Sequence, residues 1–223
     1  MKIAVPLTDE NFDENLKIAV SEGADIIELR VDLFRNKDPE FIKEKIEKVK
    51  EAGLETILTI RSEKEGGRYV ENRAKLFEAL SPLSDYTDIE LSYGSLIGFV
   101  RNLVRLHNRK LIISFHDFKS TPPGWLIVEI LREMYRWGAD IAKIAVTPYS
   151  KEDVAKLLCF SQRVEGKKII IAMGEMGKVT RVAGFIFGSV ITYSFVGKAV
   201  APGQIPLKDM IYIRKMLYGH ISP

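Results

Sequence analysis

Short apolar runs alternate with amphipathic stretches from one end of the chain to the other. The runs fall at residues 2–5, 25–31, 56–60, 86–91, 111–115, 138–146, 168–173 and 190–195, and their length and composition predict strands. Between them, apolar residues recur three or four apart, as in Phe12, Leu16, Ala19 and Val20, in Ile42, Ile46 and Val49, and in Leu76 and Leu80. Leu96, Val100 and Leu103, then Ile127, Ile130, Leu131 and Met134, then Val154, Leu157 and Leu158 repeat that spacing, which predicts helices with one buried face. Met210, Ile211 and Leu217 mark a closing helix started by Pro206. Gly23 is a stop signal, and Asp38 with Pro39 is an N-cap and first-turn pair. A short helical piece is expected at 180–184.

Strands that read as continuous apolar runs are buried on both faces, which belongs to parallel sheets covered by helices. Eight of them, each followed by a helix, predict an α/β fold, a single-domain (β/α)8 TIM barrel spanning residues 1–223. An open doubly wound sheet is the alternative, although no G-x-G-x-x-G follows the first strand and no Walker motif is present. The tetrapeptide Gly-Ala-Asp-Ile opens both the second strand, at Gly23, and the sixth, at Gly138. Aligning the two copies sets Glu28 in register with Lys143, on strands that lie opposite each other in an eight-stranded barrel.

Composition narrows the class. The chain has 223 residues, 46% of them hydrophobic, enough for one sizeable core. Its net charge of +3 comes without a basic stripe interleaved with aromatics, so a nucleic-acid partner is not expected. Cys159 is the only cysteine, which leaves no intrachain disulfide and no zinc-finger spacing; it is expected to be a small buried filler in a reducing cytoplasm. The first apolar run is far too short for a signal peptide and no segment approaches a membrane span, so no membrane partner is expected.

Polar residues inside or just after the predicted strands carry the chemistry. Glu28, Arg30 and Asp32 share one parity of the second strand, Arg61 ends the third, His116 ends the fifth, Lys143 sits inside the sixth, and Arg181 follows the seventh. In a barrel, the carboxyl ends of the strands build the active site. Lys143 either neutralises a buried carboxylate or works as a nucleophile. As a nucleophile it must lose a proton, because a lysine of pKa near 10.4 is only about 1 part in 2,500 neutral at pH 7. Burial, with Arg30, Arg61 or Arg181 nearby, would depress that value. A neutral amine attacks a ketone to give an iminium ion that acidifies the adjacent carbon, and His116 is the histidine placed to move that proton. His107 and His220 have no such placement. Clustered arginines call for an anionic ligand, most simply a carboxylate; Phe187–Gly188–Ser189 keeps a phosphate open. A Schiff-base aldolase and a non-catalytic anion-binding barrel with a Lys143–Glu28 salt bridge both fit these residues.

Taken together, ELRVD at 28–32, RSEKEGG at 61–67, SFHDF at 114–118, DIAKIA at 140–145, TRVAG at 180–184 with FGS at 187–189, and APGQ at 201–204 resemble type I 3-dehydroquinase. The resemblance implies a shikimate-pathway barrel that dehydrates 3-dehydroquinate to 3-dehydroshikimate through a lysine Schiff base. It implies no cofactor and no metal, and a homodimer. By position it makes Lys143 the Schiff-base lysine, His116 the general acid and base, and Glu65 the carboxylate supporting that histidine. Glu28, Leu29, Arg30 and Arg61 correspond to substrate-binding positions, Arg181 to the partner of the substrate carboxylate, and Gln204 to the glutamine of a covering loop. Met173 and Tyr193 fall at apolar walls, with Tyr193 replacing a frequent phenylalanine. Val200 stands where some relatives have serine, which implies the loss of one hydroxyl contact.

Overall fold

The computed structural model describes residues 1–199 and 201–219. Eight parallel strands lie side by side in chain order: β1 (Lys2–Leu7), β2 (Ile26–Arg30), β3 (Glu55–Thr59), β4 (Tyr86–Glu90), β5 (Lys110–Asp117), β6 (Ile141–Val146), β7 (Lys168–Ala172) and β8 (Ile191–Phe195). β8 pairs back onto β1, and the ring closes between β7 and β8 through a parallel bridge from Lys168 to Ser189. There the Val190 N–H donates to the Lys168 carbonyl at 2.8 Å, and Ser189 Oγ accepts from the Ile170 N–H at 3.2 Å. The closed barrel is therefore the fold, and the open sheet is set aside. A two-residue strand, β9 (Ile205–Pro206), adds to β8; it is too short to leave an apolar run.

Helices α1 (Phe12–Glu22), α2 (Pro39–Glu51), α3 (Arg73–Leu80), α4 (Gly94–Leu106), α5 (Gly124–Arg136), α6 (Lys151–Gln162), α7 (Gly174–Ala183) and α8 (Leu207–Tyr218) fill the connections and the closing turn. Local chemistry sets their ends as expected. Asp38 accepts from the Glu40 and Phe41 N–H groups ahead of Pro39, and Gly23, at φ 91°, ends α1 by donating to the Ala19 and Val20 carbonyls. α7 begins six residues earlier than the short piece expected at 180–184. Its glycines argue against a helix on propensity, but Gly177 lies so close to β7 that a Cβ would sit 2.0 Å from the Ala172 carbonyl oxygen.

Two apolar layers result. One lies between helices and sheet, with Leu29, Leu58, Ile89, Ile113 and Ile144 contributed by alternate strand positions. The other fills the lower lumen with Ala4, Ile26, Ile57, Tyr86, Ile112, Ile141, Ile169 and Ile191. Three outward residues correct the sequence reading. Val20, Leu217 and Cys159 are exposed, because each turns off the buried stripe of its helix. Cys159, beside the buried Leu158, is thus not a filler.

Candidate active site

Above the apolar plug the lumen changes character. Side chains alternate along each strand, so the parity that places Ile26 in the lower lumen also sends Glu28 and Arg30 inward, and the same holds for Ile141 and Lys143. Lys143 is 4% exposed. Its Nζ donates to Asp88 Oδ2 at 2.9 Å and to the Tyr193 hydroxyl at 3.0 Å, and lies 3.6 Å from Glu28 Oε1. The juxtaposition of Glu28 and Lys143 across the barrel is the one that the Gly-Ala-Asp-Ile repeat predicted.

Asp88 is the hub beneath the lysine. It accepts from Arg61 Nη2 at 2.9 Å and from Ser114 Oγ at 2.6 Å as well as from Lys143. Burial works against its charge, but Arg61 and Lys143 outweigh burial and hold the carboxyl far below its ordinary range. The reverse happens at the amine. Burial pulls Lys143 down, yet Asp88 foremost, then Tyr193 and Glu28, push it above the ordinary lysine value. The resting lysine is a paired ammonium, which answers a question the sequence leaves open, since Glu28 would oppose and the arginines would favour its discharge. Those arginines are largely neutralised themselves: Arg61 by Asp88 and Glu90, and Arg30 by a bidentate bond to Asp32 at 2.7 and 3.0 Å.

His116 sits at the upper end of β5. Its Nδ1 lies 2.9 Å, and its backbone nitrogen 3.0 Å, from Glu65 Oε2, while Ser92 Oγ donates to the other carboxylate oxygen at 2.6 Å. With the carboxylate ionised, Nδ1 carries the proton and Nε2 keeps a free lone pair. Burial, Arg61 and Lys143 hold His116 well below its ordinary value, so at neutral pH it is a base ready to accept. Burial raises Glu65, against the pull of Ser92 and Arg61.

Arg181 has a different environment. It is 2% exposed, and among the described residues it donates only to the carbonyls of Tyr193 at 3.5 Å and Pro202 at 3.2 Å and leaves Nε with no partner. Burial lowers its pKa to about 10. A buried guanidinium offered only neutral acceptors is suited to pair with an anion. Gln204 Oε1 accepts from the Ala201 N–H at 3.2 Å in the adjoining loop.

One cavity of about 120 Å³ is lined by Lys143, His116, Glu65, Glu28, Arg30, Arg61, Met173, Arg181, Tyr193 and Gln204. Leu29 is the exception and a correction: it has the outward parity of β2 and is fully buried in the helix–sheet layer, so its side chain cannot touch a ligand in the lumen. Tyr193 is also more than an apolar wall, since its hydroxyl is bonded to the lysine. The phosphate option falls away, because Ser189 pairs with the first residue of β7, at the opposite end of the barrel. Val200 lies outside the described residues, as does His220. Sequence reasoning missed Asp88, Glu90, Ser114 and Ser92. Asp88 and Glu90 carried the same signal as Glu28, carboxylates two apart inside an apolar run. Among the described residues no group of three or more His, Cys, Asp or Glu side chains is arranged to hold a metal ion.

Fold and site together define a (β/α)8 barrel with a lysine buried among carboxylates in its lumen. A model of the type I 3-dehydroquinase family matches residues 3–221, and the chain belongs to that family. It is similar to the 3-dehydroquinate dehydratase of Aquifex aeolicus strain VF5, with 59% identity over 218 residues covering 98% of this chain and 99% of the relative. The crystal structure of the Aquifex enzyme superposes with a TM-score of 0.95, covering 98% of this chain and all of the other. A type I 3-dehydroquinate dehydratase from Clostridium difficile, solved with covalent modified comenic acid, is 33% identical at a TM-score of 0.90, covering 99% and 93% of the two chains.

Proposed function

We infer that this chain removes water from 3-dehydroquinate to give 3-dehydroshikimate in the shikimate pathway, with Lys143 as the Schiff-base lysine. The observation that carries the assignment of roles is the shared cavity, in which the Lys143 amine, the Glu65-anchored His116 and an Arg181 with no carboxylate partner among the described residues all face one space. The substrate carboxylate pairs with Arg181, which sets the ring over Lys143. Glu28, Arg30 and Arg61 hold ring hydroxyls, and Met173 lines the wall. After losing a proton, Lys143 attacks the C3 ketone, and His116 moves protons as the carbinolamine collapses to the iminium. The iminium draws electrons from the adjacent bond, His116 Nε2 takes a C2 proton, and the C1 hydroxyl leaves as water with a proton from the same imidazole. Hydrolysis then frees the lysine. The iminium is the electron sink, so this route calls for no metal or cofactor.

Incubation with 3-dehydroquinate should produce the ultraviolet absorbance of a conjugated enone, and its absence from about pH 6 to 9 would overturn the reading. Proton transfer by His116 is worth roughly 10² to 10⁴ in rate, whereas loss of the amine removes the iminium altogether, so Lys143→Ala should cost more than His116→Ala. Equal losses would refute that ranking.

We also read the protein as a cytoplasmic homodimer. Exposed Tyr212, Met216 and Leu217 on α8 support an apolar contact there, which sedimentation would test. No helix of the described residues is long and apolar enough to cross a membrane.

A further inference from the structure

Lys143 is charged at rest and must lose a proton before it can attack a ketone, so something in the lumen has to receive it. Asp88 is the nearest carboxylate, at 2.9 Å, but Arg61 and Ser114 already donate to it, and protonation would break that arrangement. Glu28 lies 3.6 Å from Nζ as an ion pair, while the amine's hydrogen bonds go to Asp88 and Tyr193. Tyr193 connects the two: Nζ donates to its hydroxyl at 3.0 Å, and that hydroxyl points onward to Glu28 Oε1 at 3.5 Å, a long contact that has to shorten for a proton to pass. Both bonds point from the lysine toward the glutamate, and all three groups are buried. Glu28 also accepts from Thr59 Oγ1 at 2.8 Å on the same oxygen, which fixes the receiving end.

Resting on the reading of Lys143 as the Schiff-base lysine, we propose that Tyr193 is a catalytic residue that relays the lysine proton to Glu28. An Nζ–H bond breaks as the proton moves to the Tyr193 oxygen, and the phenol's own proton passes to Glu28 Oε1. An ammonium and a carboxylate become an amine and a carboxylic acid, the phenol is restored, and no net charge is created. The transfer runs backwards when the product imine is hydrolysed. Burial raises the Tyr193 pKa, with Glu28 adding to it, so the phenol keeps its proton between transfers and works as a conduit rather than a base.

Rapid-quench borohydride trapping with 3-dehydroquinate, read by mass spectrometry, measures imine formation directly. Tyr193→Phe keeps the ring and removes the relay. We expect imine formation about tenfold slower at neutral pH, a modest general acid–base effect because solvent can still reach the amine slowly. The deficit should narrow as pH rises toward about 10, where hydroxide takes the proton instead. Glu28→Gln should show the same pH-dependent deficit, and the double variant should be no slower than Glu28→Gln alone. Wild-type trapping rates in Tyr193→Phe at every pH, or deficits that multiply in the double variant, would overturn the relay. If the wild type forms no adduct, the lysine reading itself fails; an adduct in the wild type with an unaffected Tyr193→Phe removes the relay alone. Should Tyr193→Phe not fold, the pH dependence of Glu28→Gln decides the matter.

Discussion

Burial and charge pull against each other at every ionisable group in the lumen, and the winner differs from residue to residue. At Lys143 the carboxylates win and the amine stays charged; at His116 burial and the neighbouring cations win and the imidazole stays neutral. That division suits the chemistry, because a base that is neutral at rest can take a carbon-bound proton, and a paired ammonium stays protected until a ketone arrives. It also fixes a pH effect. A histidine held below its ordinary value remains a base in more acidic solution, so the acid limb of kcat/KM should fall below about pH 6.5, the unperturbed value. A limb at or above that value in a steady-state pH profile would contradict the assignment. Arg181 offers a second check at this scale. Arg181→Lys keeps a charge but loses the bidentate fork, so KM should rise about tenfold or more while kcat changes little. An unchanged KM would remove Arg181 from the carboxylate site.

Among the elements, the turn after β3 has the most to do with function. Residues 62–67 fold back so that the Gly67 N–H donates to the Ser62 carbonyl at 2.8 Å, and the Ser62 N–H donates to Glu90. Glu90 is held in turn by Arg73, which stacks over Tyr93 with its guanidinium carbon 4.3 Å from the ring centre. This scaffold delivers Glu65 to His116. A Cβ on Gly67 would sit 2.1 Å from the Arg61 carbonyl oxygen, so the turn has to move to admit one. Gly67→Ala should therefore lower kcat about tenfold or more by displacing Glu65, and should destabilise the protein by about 1–3 kcal/mol. Kinetics and thermal unfolding on the same preparation check both. Full activity would show that the close approach is not what holds Glu65. The sequence showed a glycine-rich loop at this place and, through its resemblance, a role for Glu65, but nothing in it revealed the backbone contact that makes Gly67 necessary.

For the whole molecule, the buried charges in the lumen tie stability to pH. Asp88 has a folded pKa below its unfolded one, so its contribution is complete above about pH 4, where the unfolded carboxyl is also ionised. As pH falls from there toward the folded value, the unfolded state takes up a proton that the native state refuses, and stability is lost. The melting temperature should drop steeply below about pH 4. Asp88→Asn should flatten that drop while lowering stability at neutral pH by about 3–5 kcal/mol, because Arg61 and Lys143 lose a shared partner. An unaltered acid slope in the variant would assign the effect to other carboxylates.

The sequence by itself determined the eight strands, the buried faces of most helices, the barrel, and the strand-end residues that meet in the cavity. These follow from spacing along the chain: a period of two sends Glu28, His116 and Lys143 to one side of the sheet whatever surrounds them. Only the tertiary structure decided the protonation of Lys143, the part played by Asp88, the bond from Tyr193 to the amine, and the outward turn of Leu29. The first three depend on distances between groups 50 or more residues apart in sequence. Electrostatic interactions vary with distance and with the water excluded around them, and neither is written in local pattern. Leu29 differs in cause, since a resemblance assigned it to substrate binding and its strand parity turns its side chain away from the lumen.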